Sequence, residues 1–186
     1  MKEEDLIKLL QLDDNSAYDE LVKTYQDKII NTCYGFVHNI EEAEDLAQEV
    51  FIQVFKSINS FREEAKLSTW LYRIAVNKSL NKLRSKRFGL LLALDSLFES
   101  DLHINSDIID SPFKSLEDKE RAEVLHASID KLPENQKTAF VLSKYRGLKN
   151  KQIAEVMKLS ISAVEALLNR SKKKLQESLL FYYRSQ

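Results

Sequence analysis

The residues best suited to binding chemistry form a run of basic side chains just after the chain's single tryptophan, Trp70. Between positions 73 and 87 there is no acidic residue, and the six basic residues are Arg73, Lys78, Lys82, Arg84, Lys86 and Arg87. A helix end that is basic on several sides is poorly suited to burial and well suited to lying along phosphates. The alternative is a solvated helix end favoured by the helix dipole, but this run exceeds what the dipole explains.

Residues that could build a catalytic or metal site are scarce. The three glycines are isolated from one another, so neither a P-loop nor a dinucleotide-binding fingerprint can form. His38, His103 and His126 lack the spacing of metal ligands. Cys33 is the only cysteine, which excludes an internal disulfide and suits the reducing cytoplasm. We therefore expect a cytoplasmic protein that is not an enzyme, with no cofactor, metal or small-molecule substrate.

Charge is unevenly distributed along the chain, although the net charge is only −1. Residues 1–87 hold 13 basic and 15 acidic residues, and residues 88–130 hold 3 and 10. Residues 131–186 hold 12 basic and 4 acidic residues. A basic C-terminal third behind an acidic middle indicates a nucleic acid or another anionic partner for the C-terminal part.

The composition favours an all-α fold of two small helical domains joined by an acidic linker. Only three glycines and two prolines interrupt the 186 residues, and helix-forming residues are abundant. Apolar residues recur at three- and four-residue steps from Ser16 to Val37, which predicts a helix with one buried face. We place the first domain at 1–87, the linker at 88–115 with one short helix near Leu90–Phe98, and the second domain at 116–186.

The next predicted helix carries two distinct faces. Its apolar stripe consists of Ala43, Leu46, Ala47, Val50, Phe51, Val54, Phe55 and Ile58. On the other side Asp45, Gln48 and Glu49 share one surface, and Ile52 lies in the middle of that polar face. From the pattern alone a plain solvated face is the simpler interpretation.

The second domain ends in a predicted helix-turn-helix. A helix near Asn150–Met157 is followed by a short turn at Lys158–Ser160 and by a longer helix. That longer helix is expected to bury Ile161, Val164, Leu168, Leu175 and Leu179. Its outward residues are short and polar at the start and basic farther on, as base edges and phosphates require. Lys158 stands in the turn and is expected to adopt a positive φ.

Taken together, these residues resemble the extracytoplasmic-function group of bacterial sigma-70-type RNA polymerase sigma factors. The first similar block contains "AEDLAQEVFIQVF" and "STWLYRIAVNKSLNKLRSKR". The second contains "LPENQKTAFVLSKYRGL" and "IAEVMKLSISAVEALLNRSKKKL". Two separate blocks in this order are far more specific than a lone helix-turn-helix. The resemblance implies a factor that directs core polymerase to −35/−10 promoters and assists promoter melting.

The resemblance also assigns roles to residues of the first block. The face of Asp45, Gln48, Glu49 and Ile52 is expected to bind the clamp coiled coil of the polymerase β′ subunit. The loop "SFREEAKLSTW" and the helix after it are expected to hold the opened −10 element. The implied −10 contacts are Phe61, Arg62, Lys66, Arg73, Asn77, Lys78, Asn81, Lys82, Arg84, Lys86 and Arg87. Trp70 is interpreted as a core residue rather than a platform for a base.

The second block is expected to bind the −35 element through the major groove and to contact the flap of the polymerase β subunit. The implied −35 contacts are Ser162, Ala163, Glu165, Ala166, Asn169, Arg170, Lys172 and Lys173. Glu165 leaves two alternatives open. It could accept a hydrogen bond from a cytosine amino group, or it could close a capping box with Ser162. If Ser160 is the true cap, Glu165 lies one turn into the helix.

Two further expectations concern partners and an alternative function. The resemblance implies a separate anti-sigma factor that controls the protein. The alternative is a free-standing helix-turn-helix regulator that binds operator DNA as a dimer. The first block separates these possibilities, because such a regulator needs neither a polymerase-binding surface nor a loop that captures a single strand.

Overall fold

A computed structural model describes residues 2–61, 65–97 and 116–184. Within these ranges the chain is helical and contains no β-strand. The α-helices are α1 (Glu3–Gln11), α2 (Asn15–Val37), α3 (Ile40–Ser57), α4 (Leu67–Leu97), α5 (Leu116–Asp130), α6 (Glu134–Lys144), α7 (Asn150–Met157) and α8 (Ile161–Arg184), with a 3₁₀ turn at Ile58–Ser60. The predicted all-α class is confirmed. No helix of the described part is both long enough and apolar enough to cross a membrane.

Helices α2, α3 and α4 form the centre of the first domain, and the sequence sets their boundaries. The Asp14 side chain accepts a hydrogen bond from the Ala17 backbone N–H, which caps the start of α2. Asn39 caps α3 in the same way through the Glu42 N–H, at 2.9 Å. Between the two helices His38 adopts a left-handed conformation with φ 56°, which ends α2 and turns the chain into α3.

Helix α1 was not predicted from the sequence, and it is held to the first domain by three buried side chains, Leu6, Ile7 and Leu10. It also contacts both ends of the loop that precedes α4. Gln11 Nε2 donates to the Phe61 carbonyl at 3.5 Å, and the Glu3 carboxylate accepts from the Leu67 N–H at 2.9 Å. Glu3 therefore satisfies an otherwise unpaired amide in the first turn of α4.

Helix α4 is longer than the sequence indicated at both ends. It begins at Leu67, before the expected start near Trp70, and it continues to Leu97. The first ten residues of the predicted linker, 88–97, are therefore a continuation of α4. The remainder, 98–115, lies outside the described residues, and so does the end of the short helix expected near Leu90–Phe98. The domain boundaries at 87 and 116 stay predictions.

Helices α5 to α8 form the second domain. Ile129, Leu132 and Leu175 are buried where α5 packs against α8. The chain leaves α6 through Gly147, whose φ of 65° suits glycine. Lys158 has φ 54° at the turn between α7 and α8, which confirms the positive φ expected there.

The two domains pack against each other and share one apolar core. The buried cluster that contains Phe36 and Leu71 of the first domain also contains Val141, Leu142 and Ile153 of the second. Helix α6 lies against α2, and α7 lies against α4. This contact between the domains was not predicted from the sequence.

Two residues predicted to be buried are exposed. Phe55 belongs to the apolar stripe of α3 but is 54% exposed, because it lies at the edge of the stripe; its ring contacts Tyr18, with 5.0 Å between the ring centroids. Ile161 is 46% exposed, because it is the first residue of α8 and precedes the turn that packs on α7. The stripe on α8 that is buried begins instead at Val164.

Candidate nucleic-acid interface

A pocket of about 350 Å³ lies between the end of α3 and the first turns of α4. Its lining combines one aromatic, one aliphatic and several polar side chains: Gln53, Ser57, Ser60, Trp70, Ile74, Asn77, Lys78 and Asn81. Trp70, which was interpreted from the sequence as a core residue, packs against the core but is only half-buried, and it also lines this pocket. Its ring tilts against Phe61, with 5.0 Å between the ring centroids. This mixture offers an aromatic surface for stacking and hydrogen-bonding groups for a base edge.

The structure brings most of the predicted −10 contacts to this pocket and to the helix that continues from it. Asn77, Asn81, Lys82, Lys86 and Arg87 are exposed along α4. Lys66 is exposed just before α4 begins. Phe61, in contrast, is 8% exposed, and its ring packs against the Trp70 ring. Arg62 lies outside the described residues.

Several cations of the basic run already have partners within the protein. Lys78 Nζ lies 2.9 Å from Glu49, and Lys86 Nζ lies 2.6 Å from Glu42, so these two cations join α4 to α3. All four groups are substantially exposed to water. Such exposed pairs contribute about 0–1 kcal/mol each.

Arg73 and Arg84 instead contact the second domain. The Arg73 guanidinium donates to the Glu155 and Val156 carbonyls at 2.6 and 3.2 Å, at the C-terminal end of α7. The Arg84 guanidinium donates to both oxygens of Glu134, at 2.6 and 3.0 Å. The hydrogen bonds from Arg84 lower the pKa of the Glu134 carboxyl. Two of the six cations of the basic run are therefore hydrogen-bonded to groups of the second domain.

The polar face of α3 is presented to solvent as the sequence indicated. Asp45, Gln48 and Glu49 are exposed, and Ile52 is 54% exposed on the same face. The opposite face is buried through Ala43, Leu46, Ala47, Val50 and Val54. A single exposed isoleucine is common on protein surfaces, so the exposure of Ile52 does not by itself indicate a partner.

The start of α8 shows which residue caps the helix. Ser160 Oγ accepts a hydrogen bond from the Ala163 N–H at 3.1 Å, so Ser160 is the N-cap. The capping box between Ser162 and Glu165 is therefore not formed. Glu165 is exposed, and its Oε1 lies 3.4 Å from Asn150 Nδ2 of α7.

The other predicted −35 contacts lie along the first four turns of α8. Ser162, Asn169, Arg170, Lys172 and Lys173 are exposed, and Ala163 and Ala166 are half-buried. Val164 is fully buried and, with Ala154 at 6% exposure, holds α8 against α7. The exposed side of α8 thus carries polar residues first and cations later.

Comparisons with known proteins identify both blocks. The model of sigma-70 region 2 matches residues 21–88, and the model of sigma-70, region 4, matches residues 122–175. The RNA polymerase sigma-H factor of Pseudomonas aeruginosa is 34% identical over 182 residues, covering 96% of this chain and 94% of that protein. The ECF RNA polymerase sigma factor SigW of Bacillus subtilis is 32% identical, with 93% and 94% coverage.

The chain belongs to the extracytoplasmic-function group of sigma-70-type RNA polymerase sigma factors. The resemblance stated from the sequence is thereby confirmed, and the free-standing regulator is not favoured. The fold of this sigma factor agrees with solved structures. CnrH, in complex with the cytosolic domain of CnrY, has a TM-score of 0.69 at 20% identity and covers 95% of this chain and 96% of its own.

Sequence reasoning missed some residues that shape the candidate site of this sigma factor. Glu3 and Gln11 fix the two ends of the loop before α4, and neither stands in a pattern that predicts such a contact. Glu134 was not singled out in the sequence, yet it accepts hydrogen bonds from Arg84. A basic run facing a lone acid in another domain gives no periodic signal, so the structure was needed to find the pair.

Proposed function

We propose that the pocket between α3 and α4 receives an unstacked base of the −10 element. The exposed cations that continue along α4 would then follow the strand's phosphates. The observation that carries this proposal is the position of the pocket, because Trp70, Asn77 and Asn81 line it directly beside Lys78. A flipped base gains stacking on an aromatic ring and hydrogen bonds to its edge, while nearby cations bind the backbone.

In this proposal each of the other exposed surfaces has its own partner. The α3 face of Asp45, Gln48, Glu49 and Ile52 binds the β′ clamp coiled coil of the polymerase core. The exposed side of α8 reads the −35 element as duplex, and the second domain also contacts the β flap. The protein performs no catalysis of its own, because the polymerase carries out the chemistry, and it acts in the cytoplasm with its polymerase.

An anti-sigma factor is the remaining partner in this proposal. CnrH was solved with the cytosolic domain of CnrY, and RpoE of Bartonella quintana was solved with the anti-sigma factor NepR. The latter has a TM-score of 0.64 at 20% identity and covers 87% of this chain and 96% of its own. By analogy, this sigma factor is bound by an anti-sigma factor.

In vitro transcription with core polymerase and a randomised promoter library tests the proposed function. We expect the protein to select templates with two conserved elements separated by a fixed spacer, and to give transcripts that start at one position. Core polymerase alone is the control. Transcription at the level of that control from every template would contradict the proposal.

A further inference from the structure

The two walls of the pocket between α3 and α4 come from separate parts of the chain. One wall ends at Ser60 in the 3₁₀ turn, and the other begins at Trp70 on α4. The chain between these two residues connects the walls. The position of Ser60 relative to Trp70 therefore depends on how the two ends of that connection are held.

Helix α1 contacts both ends of this connection. Glu3, at the start of α1, accepts a hydrogen bond at 2.9 Å from the N–H of Leu67, the first residue of α4. Gln11, at the end of α1, donates at 3.5 Å to the carbonyl of Phe61, the residue that follows Ser60. The 3₁₀ turn that contains Ser60 also lies against α1.

The length of α1 gives these two contacts a fixed separation. Glu3 and Gln11 are the first and last residues of the helix, and they lie about 12 Å apart along its axis. Between them Leu6, Ile7 and Leu10 are buried in the core of the first domain. Because a shift of α1 along its axis would expose these side chains, the helix links the two ends of the connection rigidly.

Both contacts of α1 act on the aromatic residue of the pocket through one intervening residue. The Phe61 ring packs against Trp70, with 5.0 Å between the ring centroids, and Phe61 is 8% exposed. Leu67 is fully buried and begins the turn of α4 that carries Trp70. Neither Glu3 nor Gln11 lines the pocket itself, so any effect of these two residues on a bound base must pass through Phe61 and Leu67.

We propose that α1 is a brace for the pocket, with Glu3 and Gln11 as the positioning residues that set the spacing of its two walls. This inference rests on the proposed function, in which an unstacked base of the −10 element enters the pocket. A pocket whose walls are correctly spaced before the base arrives loses no affinity to ordering on binding. Without the brace the correct spacing is one of several, and the apparent affinity falls by the fraction of molecules that have it.

Substitutions at the two ends of α1 test the hydrogen bonds without removing its apolar face. Glu3→Ala removes the acceptor of the Leu67 N–H, whereas Glu3→Gln keeps an acceptor there and should behave like the unchanged protein. Gln11→Glu replaces the donor to the Phe61 carbonyl by a carboxylate, which cannot donate. Glu4→Ala removes an exposed charge from the same turn of α1 as Glu3 and is the matched control.

The first measurement is the fluorescence of Trp70, which is the chain's single tryptophan and lines the pocket. In Glu3→Ala and Gln11→Glu the emission should shift to longer wavelength, and acrylamide should quench it more strongly, because the Trp70 ring is held less firmly against Phe61. Glu3→Gln and Glu4→Ala should give the spectrum of the unchanged protein. This measurement needs neither polymerase nor DNA, so it tests the brace independently of the proposed function.

The second measurement is the selection of promoters from a randomised library by the polymerase holoenzyme. Glu3→Ala and Gln11→Glu should each reduce the enrichment of the preferred −10 bases about tenfold and leave the −35 preference unchanged, whereas Glu3→Gln should retain both preferences. Because a protein that is merely less stable would lose both preferences alike, this difference separates positioning from stability. Asn77→Ala changes the lining of the pocket directly and should also reduce the −10 enrichment.

Three results would overturn this inference alone. One is an unchanged Trp70 spectrum in both Glu3→Ala and Gln11→Glu. Another is a −10 preference that falls in Asn77→Ala but stays intact in both α1 variants, since the pocket would then bind a base without the brace. The third is an equal loss of the −10 and −35 preferences in the α1 variants. A −10 preference that stays intact in Asn77→Ala as well would instead contradict the proposed function, and this inference would fail with it.

Discussion

Glu165 is an acidic residue on the exposed side of a helix whose other exposed residues are mostly polar or basic. Because Ser160 caps α8, Glu165 has no capping role to explain its presence. The nearby Asn150 amide group lies 3.4 Å from one carboxylate oxygen, which leaves the second oxygen available as an acceptor. In the major groove the cytosine N4 amino group is the donor that suits a carboxylate.

Glu165→Gln is expected to change the preferred −35 sequence at one position. Loss of the carboxylate should alter discrimination there by about 1–3 kcal/mol, because an amide can also donate and so tolerates other bases. Selection of −35 sequences from a library by the polymerase holoenzyme provides the measurement. An unchanged preference would exclude base reading by Glu165.

Ser160→Ala and Ser162→Ala separate this role from helix capping. Loss of the Ser160 cap should reduce the free energy of unfolding by about 0.5–2 kcal/mol without a new −35 preference. Ser162→Ala should leave stability nearly unchanged, because Ser162 does not cap the helix. Thermal unfolding curves of the two variants show which serine is the cap in solution.

At the scale of the helices, sequence periodicity predicted those helices that bury one continuous apolar face. Helices α2, α3 and α7 were predictable because their apolar residues recur at helical spacing and capping or breaking residues stand near their ends. Helix α1 has only three buried residues among many charges, so its pattern is too short to stand out. The contacts of Arg73 and Lys137 with carbonyls of the other domain depend on backbone positions, and no side-chain pattern reports those.

The candidate site could also be predicted only in part, because helical periodicity identifies the exposed face of a helix but not the contacts between helices. The polar face of α3 and the outward residues of α8 follow from helical periodicity once the buried face is known. The pocket beside Trp70 does not, because it depends on how the end of α3 meets α4 in space. The exposure of Phe55 also escaped prediction, because Phe55 lies at the edge of the apolar stripe, whereas Val54 and Ile58 on either side of it in sequence are fully buried.

Removal of the polar side chains on α3 is expected to weaken polymerase binding and to spare the fold. The triple variant Asp45→Ala, Gln48→Ala and Glu49→Ala changes exposed groups only, and the lost Glu49–Lys78 pair contributes about 0–1 kcal/mol. We expect a nearly unchanged unfolding midpoint and a clear loss of affinity for core polymerase. The matched control is the double variant Asp19→Ala and Glu20→Ala, which removes an equal number of negative charges, two, from α2. Equal affinity for core polymerase in the test and control variants would contradict the assignment.

The interface between α2 and α5 is expected to weaken in acid because of a stacked histidine pair. His38 and His126 lie with ring centroids 4.1 Å apart, and Tyr34, Asp130 and Lys137 surround them. Burial and, to a smaller extent, the neighbouring His38 together lower the pKa of His126 to about 4. Because the ordinary value is about 6.5, the unfolded or opened chain takes up a proton before the folded one does.

This histidine therefore contributes stability that is present above about pH 6.5 and is lost as the pH falls toward 4. Burial raises the pKa of Asp130, but its contacts with His38 and Lys137 outweigh this and lower it to about 2, so Asp130 stays ionised in that window. The temperature of the unfolding midpoint should decrease as the pH is lowered from 7 to 5. His126→Gln should flatten this dependence, and an equally steep decline in that variant would show that other groups cause it.

At the scale of the whole molecule, the near-zero net charge hides two regions of opposite sign. The acidic middle lies between the domains in sequence, and the basic residues are concentrated on α4 and in the last third of the chain. A binding surface made of such cations releases counterions when it meets DNA, so its affinity depends strongly on salt. The slope of log affinity against log salt concentration thus reports the number of cations that contact phosphate in the assembled complex.

Lys82→Ala and Arg87→Ala are expected to weaken promoter binding by the holoenzyme about equally for all promoter sequences. Each should reduce the slope of log affinity against log salt concentration by roughly one unit, since each removes one phosphate contact. Lys23→Ala, an exposed lysine on α2 outside the basic run, is the control and should leave the slope unchanged. Titrations of a fluorescent promoter fragment at several salt concentrations give the slopes. A loss of affinity confined to one promoter sequence, with the slope unaltered, would mean that the side chain reads a base instead of following the strand.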